Sequence, residues 1–469
     1  MNDAQLRRLL AERSPWRARA GWEPDDADLR AAARLPLSYE PDPLADIHAP
    51  GLYVLRGPRR VGKSLELKRA VGRLLAAGID PKTVFYCSCD GLSKQDLRRL
   101  VAQGHSVTRT LPGPCHWLLD EVTAVPGWSQ TIKELRDQDT RFREACVVLT
   151  GSSARDLEQA RKDLADRRGG VADSDRLLLP MGFRAFCRAL GLDELPPQVI
   201  RPRDCLSPAA ERAISDLEPW SDALADTWEL YLDVGGFPRA VGELVGEGGV
   251  SDGFIQGLWD VVLGDAIRAA PLSEADVVAL LGRLAANLCS PINVSRIARD
   301  VGLHGHQAAV NRIEDLIRAF LAWRCHRIRD GRPNTAAQRK LYFVDPLLAQ
   351  LAHRRDRGLP APDAAKLTQQ QIGLALARTV SLGAPAAFVQ TDRVMYERTD
   401  TSAEIDFVGP DLEIPFECKY TDARWRREAL TMRARYGRGV MVTRSPLLTG
   451  ADEPIWAIPA SILAWLLGT

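Results

Sequence analysis

Short apolar runs alternate with amphipathic stretches over residues 51–190, and this alternation predicts parallel strands joined by helices. The runs predicted as strands are residues 52–55, 83–87, 115–119 and 145–150. After the first run, apolar residues recur every three or four positions, at Leu67, Ala70, Val71 and Leu74, which is the period of a helix with one buried face. The predicted fold class of this part is therefore α/β, with a parallel sheet.

The pattern changes after residue 190, and these changes predict further domains. The five predicted regions are an N-terminal helix and lead-in (1–50), the α/β core (51–190), a helical lid (191–272), a winged helix (273–350) and a small mixed α/β domain (366–469). Within the winged helix, Ser273 and Asp276 form a capping box, and we expect a longer helix over residues 307–322 followed by strands over 323–328 and 341–344.

The segment between the first predicted strand and the following helix carries the most specific chemistry. It reads Gly57-x-x-x-x-Gly62-Lys63-Ser64, a complete P-loop signature in its required strand–loop–helix context. The glycines let main-chain N–H groups turn toward a phosphate chain, and the helix N-terminus faces that negative charge. The residues predicted to contact the nucleotide are Gly57, Arg60, Val61, Gly62, Lys63, Ser64 and Leu65, with Lys63 on the β- and γ-phosphates and the Ser64 hydroxyl on Mg²⁺.

A second acidic element follows the strand 115–119, which ends in Asp120 and Glu121. An apolar strand that delivers two carboxylates beside a P-loop is a Walker B pattern. We expect Asp120 to hold Mg²⁺ through water and Glu121 to orient or deprotonate the attacking water. An acidic pair also commonly ends a strand without catalysing anything, and the upstream P-loop favours the catalytic interpretation.

Polar and basic residues beyond the next strand are weaker candidates. Ser152 and Ser153 either sense the γ-phosphate or cap a helix, and the sequence leaves both interpretations open. Of Arg167, Arg168 and Arg176, one is a candidate to contact phosphate, although a solvated loop is the more ordinary interpretation of all three.

Four strings in order resemble the archaeal-type ATPase family, a branch near the AAA and STAND P-loop ATPases. They are RGPRRVGKS, LLDEVTAVPGW, VLTGSSA and LLLPMGFRAFC, and the resemblance covers most of residues 50–445. It implies binding of ATP with Mg²⁺ and a C-terminal domain of unknown function. The segment ending Gly235-Gly236-Phe237-Pro238 resembles the family's GG-x-P element, which by analogy places Pro238 near the base or ribose; from its residues alone it is a turn.

The C-terminal domain carries its own constellation, which resembles the PD-(D/E)xK nuclease core. Asp406 precedes Glu417 by eleven residues, and strand alternation puts Glu417 and Lys419 on one face near Asp406. Two carboxylates can hold Mg²⁺ while the lysine activates water. The preceding helix departs from the family pattern, because it has Gln369–Gln371 where a glutamate is usual. A degenerate nuclease fold used for binding is therefore preferred over an active nuclease.

Basic residues crowd the end of the predicted winged helix. Residues 324–340 hold six arginines and lysines and one acid, Asp330, which is the composition expected of a wing facing DNA phosphates. A winged helix that contacts protein or acts as a spacer fits the same pattern, and the sequence does not decide between them.

Bulk properties narrow the cellular setting. The 469 residues carry a formal charge of +1, so any nucleic-acid surface must be local, and the nine cysteines lack metal-site spacing, which fits a reducing compartment. The polar N-terminus is unlike a signal peptide, and the longest apolar run, 455–467, is short and contains Pro459. We expect a cytoplasmic protein without a membrane span.

The function predicted from these features is that of a Mg-ATP-hydrolysing P-loop ATPase that couples nucleotide state to its C-terminal domains. Two alternatives remain: a DNA nuclease that ATP regulates, and a STAND-like switch that binds nucleotide to control interactions. DNA is a candidate partner through the winged helix and the nuclease-like domain, whereas the sequence identifies no protein partner.

Overall fold

The chain folds into two compact units in a computed structural model that describes residues 1–151, 163–171, 173–267, 273–381, 393–399, 403–423 and 425–469. The N-terminal unit comprises Met1–Pro36 and Glu40–Leu179, and the C-terminal unit comprises Leu37–Tyr39 and Pro180–Thr469. Each unit has its own sheet.

The N-terminal unit is built on a five-stranded sheet in the order β2-β3-β4-β1-β5, in which every pair is parallel. Its strands are β1 (Gly51–Arg56), β2 (Val84–Ser88), β3 (His116–Asp120), β4 (Cys146–Thr150) and β5 (Asp175–Leu177). Because parallel strands need crossover connections, the helices between them cover the sheet. The α/β prediction for this region is confirmed, and β4 lies between the P-loop strand and the strand that ends in Asp120.

Helices pack on both faces of this sheet. They are α1 (Asp3–Arg13), α2 (Ala27–Arg34), α3 (Lys63–Ala76), α4 (Lys94–Val107), α5 (Trp128–Gln138) and α6 (Thr140–Glu144). Along β1 the core alternates: Leu52 and Val54 join one apolar cluster, and Tyr53 and Leu55 join the other. That period of two is the signature of a strand buried on both faces. The predicted N-terminal helix is also confirmed as α1, whose Leu6 and Leu10 are buried in the first cluster.

The first half of the C-terminal unit is helical, both over residues 191–272, where the sequence predicts a helical lid, and beyond them to Asp300. Its helices are α7 (Phe183–Ala189), α8 (Pro208–Ser215), α9 (Ser221–Val234), α10 (Pro238–Glu247), α11 (Asp252–Ile267), α12 (Glu274–Ala286) and α13 (Val294–Asp300). The predicted capping box is present at α12, where Ser273 accepts from the Asp276 N–H and Asp276 accepts in return.

The second half of this unit surrounds an eight-stranded mixed sheet. Its helices are α14 (His306–Arg318), α15 (Pro346–Arg355), α16 (Ala364–Ser381), α17 (Trp425–Tyr436) and α18 (Ala460–Leu466). Its strands are β6 (Ala322–Arg329), β7 (Arg332–Asn334), β8 (Lys340–Phe343), β9 (Met395–Arg398), β10 (Glu404–Val408), β11 (Phe416–Cys418), β12 (Gly439–Thr443) and β13 (Ile455–Pro459). Their order is β13-β12-β11-β10-β9-β6-β7, with β8 paired to β6.

Strand β6 joins the predicted winged helix to the predicted nuclease-like domain. It pairs antiparallel with β7 and β8, as in a wing, and parallel with β9. One sheet therefore contains strands from both of the predicted domains, 273–350 and 366–469. The boundary predicted at residue 350 stays a prediction. The predicted helix over 307–322 was too long: α14 ends at Arg318, because Phe320 takes a left-handed φ of 57° and β6 begins at Ala322.

The turn between α9 and α10 is fastened by a buried aspartate. Gly235 has a φ of 73°, and the Gly236 N–H donates to Asp345 Oδ2 at 2.7 Å. Asp345 Oδ1 accepts from the Leu347 N–H at 2.9 Å and so caps α15. The Asp345 side chain is fully buried, and this burial raises its pKa to about 7.

We expect Asp345→Asn to remove part of the pH dependence of stability. Folding raises the Asp345 pKa to about 7 from the roughly 3.9 of a free aspartate, so the folded chain holds a proton that the unfolded chain releases. The stability contributed by this group is complete below about pH 4 and falls as the pH rises toward 7, by up to about 1.4 kcal/mol per pH unit. Thermal unfolding of the variant should lack this component of the slope.

The matched control for this change is Asp193→Asn, because Asp193 is exposed in the same unit. Its melting temperature should follow pH as the wild type does. If Asp345→Asn also kept the wild-type pH dependence, the raised pKa of Asp345 would be wrong.

Candidate functional site

The P-loop connects β1 to α3 through a backbone that only some residues tolerate. Gly57, Arg60 and Gly62 have φ values of 148°, 64° and 103°. A Cβ added to Gly57 would lie 1.9 Å from the Leu178 carbonyl oxygen, so no larger residue fits there. The two glycines of the signature therefore serve this geometry, as the sequence predicts.

The side chains of the loop divide between core and surface. Lys63 is buried, and its Nζ donates to the carbonyl oxygens of Gly57 at 3.0 Å and Pro58 at 2.9 Å. Val61 joins the apolar core, whereas Arg60 is exposed and Ser64 is half-buried in the first turn of α3. The Lys63 ammonium is thus held over the loop, at the helix end where unpaired N–H groups favour an anion.

Asp120 ends β3 and is buried, with 4% of its surface exposed. Its carboxylate accepts from the Tyr86 hydroxyl at 3.0 Å, from the Glu121 N–H at 3.1 Å and from the Thr150 hydroxyl. Thr150 ends β4, and its oxygen also accepts from the Glu121 N–H at 3.2 Å. Side chains from β2 and β4 and the main chain that follows β3 therefore orient one carboxylate.

The donors around Asp120 are neutral. Burial, and then the Asp120 carboxylate itself, raise the pKa of Tyr86, so its hydroxyl keeps its proton and donates. Sequence reasoning missed Tyr86 and Thr150. The available signal was a tyrosine in the predicted strand 83–87 and a threonine at the end of the predicted strand 145–150.

Glu121 directly follows β3 with a φ of 51°, a left-handed conformation that is uncommon for a residue with a side chain. This turn separates the directions of the two neighbouring acids: Asp120 is buried, and Glu121 is half-buried. Such strained positions cluster at functional sites, and the strain at Glu121 agrees with its predicted catalytic role without testing it.

Of the weaker candidates in this region, the three arginines can be placed by their partners. Ser152 and Ser153 lie outside the described residues. Arg167 pairs with Asp137 at 2.8 Å, Arg168 with Asp175 at 2.7 Å and Arg176 with Asp46 at 2.9 Å. Each arginine thus already has a carboxylate partner, which supports a structural role for the three.

In the C-terminal unit, Pro238 opens α10 directly after the glycine turn. Its N-terminal position suits a residue that lacks an N–H. The predicted contact between Pro238 and the base or ribose stays a prediction.

Asp406, Glu417 and Lys419 lie close together, and their contacts differ from those of a metal cage. Glu417 Oε2 accepts from the Asp406 main-chain N–H at 2.9 Å, and Glu417 Oε1 lies 2.8 Å from Lys419 Nζ. Burial and the Asp406 charge raise the pKa of Glu417, and Lys419 opposes that shift. Within the described ranges, no group of three or more His, Cys, Asp or Glu side chains is placed to hold a metal ion.

The Asp406 carboxylate faces a lysine that sequence reasoning assigned elsewhere. Lys340 Nζ lies 2.9 Å from Asp406 Oδ1 and also pairs with Glu404. Gln369 Nε2 donates to the same Asp406 oxygen at 2.6 Å, which places this residue of α16 beside Asp406. Lys340 was missed because it was counted as part of a basic wing.

The six basic residues of 324–340 do not form one exposed face. Lys340 is fully buried, and Arg324 and Arg339 both pair with Glu314 of α14, at 2.9 and 3.4 Å. Only Arg329 and Arg332, at the tip of the β6–β7 hairpin, are exposed. Position along the sequence did not reveal which side of each strand faced the protein interior.

The sequence predicts no membrane-spanning helix. Among the described residues, none of the helices combines the length and apolar character needed to cross a bilayer.

Comparison with known proteins places one family match on the N-terminal unit. Residues 49–187 match the family model described as an AAA domain. No curated protein matches the chain.

Solved structures give only distant likenesses. They include the Walker-type ATPase PABY2304 of Pyrococcus abyssi (TM-score 0.36, 15% identity, covering 71% of this chain and 95% of that one), the ORC1 protein of Aeropyrum pernix in complex with DNA (0.27, 17%, 74% and 97%) and Cdc6p from Pyrobaculum aerophilum (0.25, 12%, 76% and 99%). These TM-scores are below 0.5, so the likenesses carry no conclusion about this chain.

The family match and the geometry coincide. The matched residues contain the P-loop with Lys63 and the Asp120–Glu121 pair. They also contain all five strands of the sheet, β1 to β5. Residues 49–187 of this chain are accordingly similar to an AAA domain and contain the P-loop and the acidic pair.

Proposed function

We propose that this chain binds Mg-ATP at its P-loop and hydrolyses it. The observation that carries the proposal is the orientation of Asp120 by Tyr86, Thr150 and the Glu121 N–H, in the same unit as the Lys63 loop. Neutral donors fix the carboxylate without supplying the positive charge that a buried carboxylate calls for. A hard divalent cation is the ligand that such an oxygen site and a nucleotide phosphate would share.

The residues of the site fit Mg²⁺ bound together with a nucleotide. Mg²⁺ in such sites is held by one or two protein oxygens plus phosphates and waters, and the Ser64 hydroxyl and Asp120 carboxylate supply that donor set. When bound, the ion would neutralise charge on the β- and γ-phosphates. Lys63 would leave its carbonyl partners for the phosphates, and Glu121 would orient or deprotonate the attacking water for in-line displacement.

The proposal extends to coupling between nucleotide state and the C-terminal unit. Leu178 follows β5, donates its N–H to the Arg56 carbonyl at 2.8 Å and places its own carbonyl against Gly57. The main segment of the C-terminal unit, Pro180–Thr469, begins two residues later. A shift of the loop would therefore reach the segment through which the chain enters that unit.

We expect Lys63→Ala to weaken ATP binding roughly 10- to 100-fold, because charge-assisted hydrogen bonds to phosphate contribute about 1.5–3 kcal/mol. Nucleotide affinity measured by calorimetry checks this, and the variant should keep the wild-type circular dichroism spectrum. Lys94→Ala is the matched control, since Lys94 is exposed at the start of α4. Equal affinities for wild type and Lys63→Ala would remove the P-loop assignment.

We expect Glu121→Gln to bind ATP normally and to lose about 10²- to 10⁴-fold in hydrolysis, because an amide of the same size cannot take a proton. Steady-state phosphate release measures the loss, with the exposed Glu144→Gln as the control. Asp120→Ala should instead weaken binding only when Mg²⁺ is present. Wild-type turnover in Glu121→Gln would show that Glu121 is not the catalytic carboxylate, whereas ATP binding without turnover in the wild type would favour a nucleotide-binding switch.

Nucleic-acid association is a second candidate function, and the surface of α17 favours it. Arg426, Arg427, Arg433 and Arg438 are exposed on or just after this helix. Arg427, Arg433 and Arg438 have no carboxylate partner among the described residues, although ion pairs are frequent elsewhere in the chain. In a chain of formal charge +1, such a local basic face is suited to a phosphate backbone.

Reversing Arg427, Arg433 and Arg438 to Glu should weaken DNA binding and reduce its salt dependence by about one unit of slope per lost phosphate contact. Fluorescence anisotropy with a labelled duplex over a salt series measures both quantities. The control reverses Arg30, Arg34 and Arg109, three exposed arginines of the N-terminal unit, and so changes net charge equally. Equal losses in the two triple variants would mean that net charge, and not the α17 face, determines binding.

A further inference from the structure

Lys340 is the most unusually placed charged residue of the C-terminal unit. It opens β8, has no exposed surface, and its Nζ pairs with Asp406 at 2.9 Å and with Glu404. The Tyr396 ring lies 5.1 Å from the same Nζ. A buried ammonium costs several kcal/mol of desolvation, which only close and well-oriented partners offset. Asp406 and Glu404 are two such partners of the Lys340 ammonium.

Every contact made by the Asp406 carboxylate comes from a donor. Oδ1 accepts from Lys340 Nζ and from Gln369 Nε2, and Oδ2 accepts from the Cys418 N–H at 3.1 Å. Gln369 Nε2 also contacts the Tyr342 hydroxyl at 3.1 Å, which fixes its amide. The helix position that would supply a third carboxylate supplies a donor instead. The side chain that pattern predicts as a metal ligand is thus fully engaged.

The second acid of the pair is neutralised separately. Glu417 uses one oxygen on the Asp406 N–H and the other on Lys419. Both of its oxygens therefore already have a donor, as those of Asp406 do, whereas a divalent cation would need free carboxylate oxygens. Each acid therefore pairs with its own lysine, Asp406 with Lys340 and Glu417 with Lys419.

We propose that Lys340 is the built-in cation of this cluster and takes the position at Asp406 that a hard divalent cation would take. The ammonium ties β8 to β10, and Gln369 adds α16, so the cluster is a structural joint that binds no Mg²⁺ and supports no Mg²⁺-dependent cleavage. Removing the ammonium without shortening the side chain should leave Asp406 and Glu404 facing an uncompensated space, which Mn²⁺ or Mg²⁺ can enter.

The experiment compares full-length wild type with Lys340→Met, Asp406→Asn and the Lys340→Met/Asp406→Asn double variant. Thermal unfolding is measured in nucleotide-free buffer with EDTA and then with MnCl₂. The matched control is Lys366→Met, because Lys366 is half-buried at the start of α16 and its Nζ donates to the Ala286 carbonyl, without a carboxylate partner among the described residues. Asp120 is intact in every variant, so Mn²⁺ bound there contributes equally.

In EDTA, Lys340→Met should melt several degrees below wild type, and adding Asp406→Asn should restore part of that loss because the unpaired charge is gone. Mn²⁺ should raise the melting temperature of Lys340→Met and leave wild type, Lys366→Met and the double variant with the same small response. A wild-type melting temperature for Lys340→Met, or an equal Mn²⁺ response in Lys340→Met and wild type, would overturn the proposal.

A second measurement does not require Lys340→Met to fold, because it uses only the wild type and Asp406→Asn. Mn²⁺ bound to wild type and to Asp406→Asn is counted by electron paramagnetic resonance. Equal stoichiometry is expected, since Asp406 holds no metal in the presence of Lys340. One Mn²⁺ fewer in Asp406→Asn would show that wild-type Asp406 is a metal ligand and would reject the built-in cation.

Discussion

A buried carboxylate must be compensated, and the manner of compensation distinguishes the two acidic sites of this chain. Asp120 is held by two hydroxyls and an N–H, all neutral, so its charge is oriented but not cancelled. Asp406 is held by an ammonium, which cancels it. Both acids end or occupy strands of well-packed sheets. Because its donors are neutral, Asp120 still has a negative charge that a metal cation can neutralise. Because Lys340 already neutralises Asp406, a second cation gains little there.

This difference bears on the three functions that the sequence allowed. An ATP-regulated nuclease needs a metal at Asp406 and Glu417, and the lysines on both acids weigh against it. An ATPase and a nucleotide-dependent switch both need only the P-loop unit. Those two differ at Glu121, whose left-handed backbone and half-buried side chain are compatible with water activation.

Sequence reasoning worked where chemistry is local. Gly57, Gly62 and Lys63 lie within seven positions, and their roles follow from spacing because the loop closes on itself. It failed for Lys340, whose partner Asp406 lies 66 positions away. A lysine before an apolar strand looks the same whether it points to solvent or to a carboxylate from another strand. The pairing of β6 with β9 could not be predicted either. The alternation of apolar and polar residues within each strand does not indicate which other strand it pairs with.

The tightest constraint at the P-loop comes from outside the signature. Gly57 is needed because the Leu178 carbonyl occupies the space of a Cβ, and Leu178 is held there by its N–H bond to Arg56. Any movement of the loop toward a bound phosphate therefore has to be accommodated at Leu178. Because the main segment of the C-terminal unit begins at Pro180, this contact links the geometry of the phosphate loop to the residues that precede that segment. A packed contact of this kind resists gradual deformation, so loop and segment should move together or not at all.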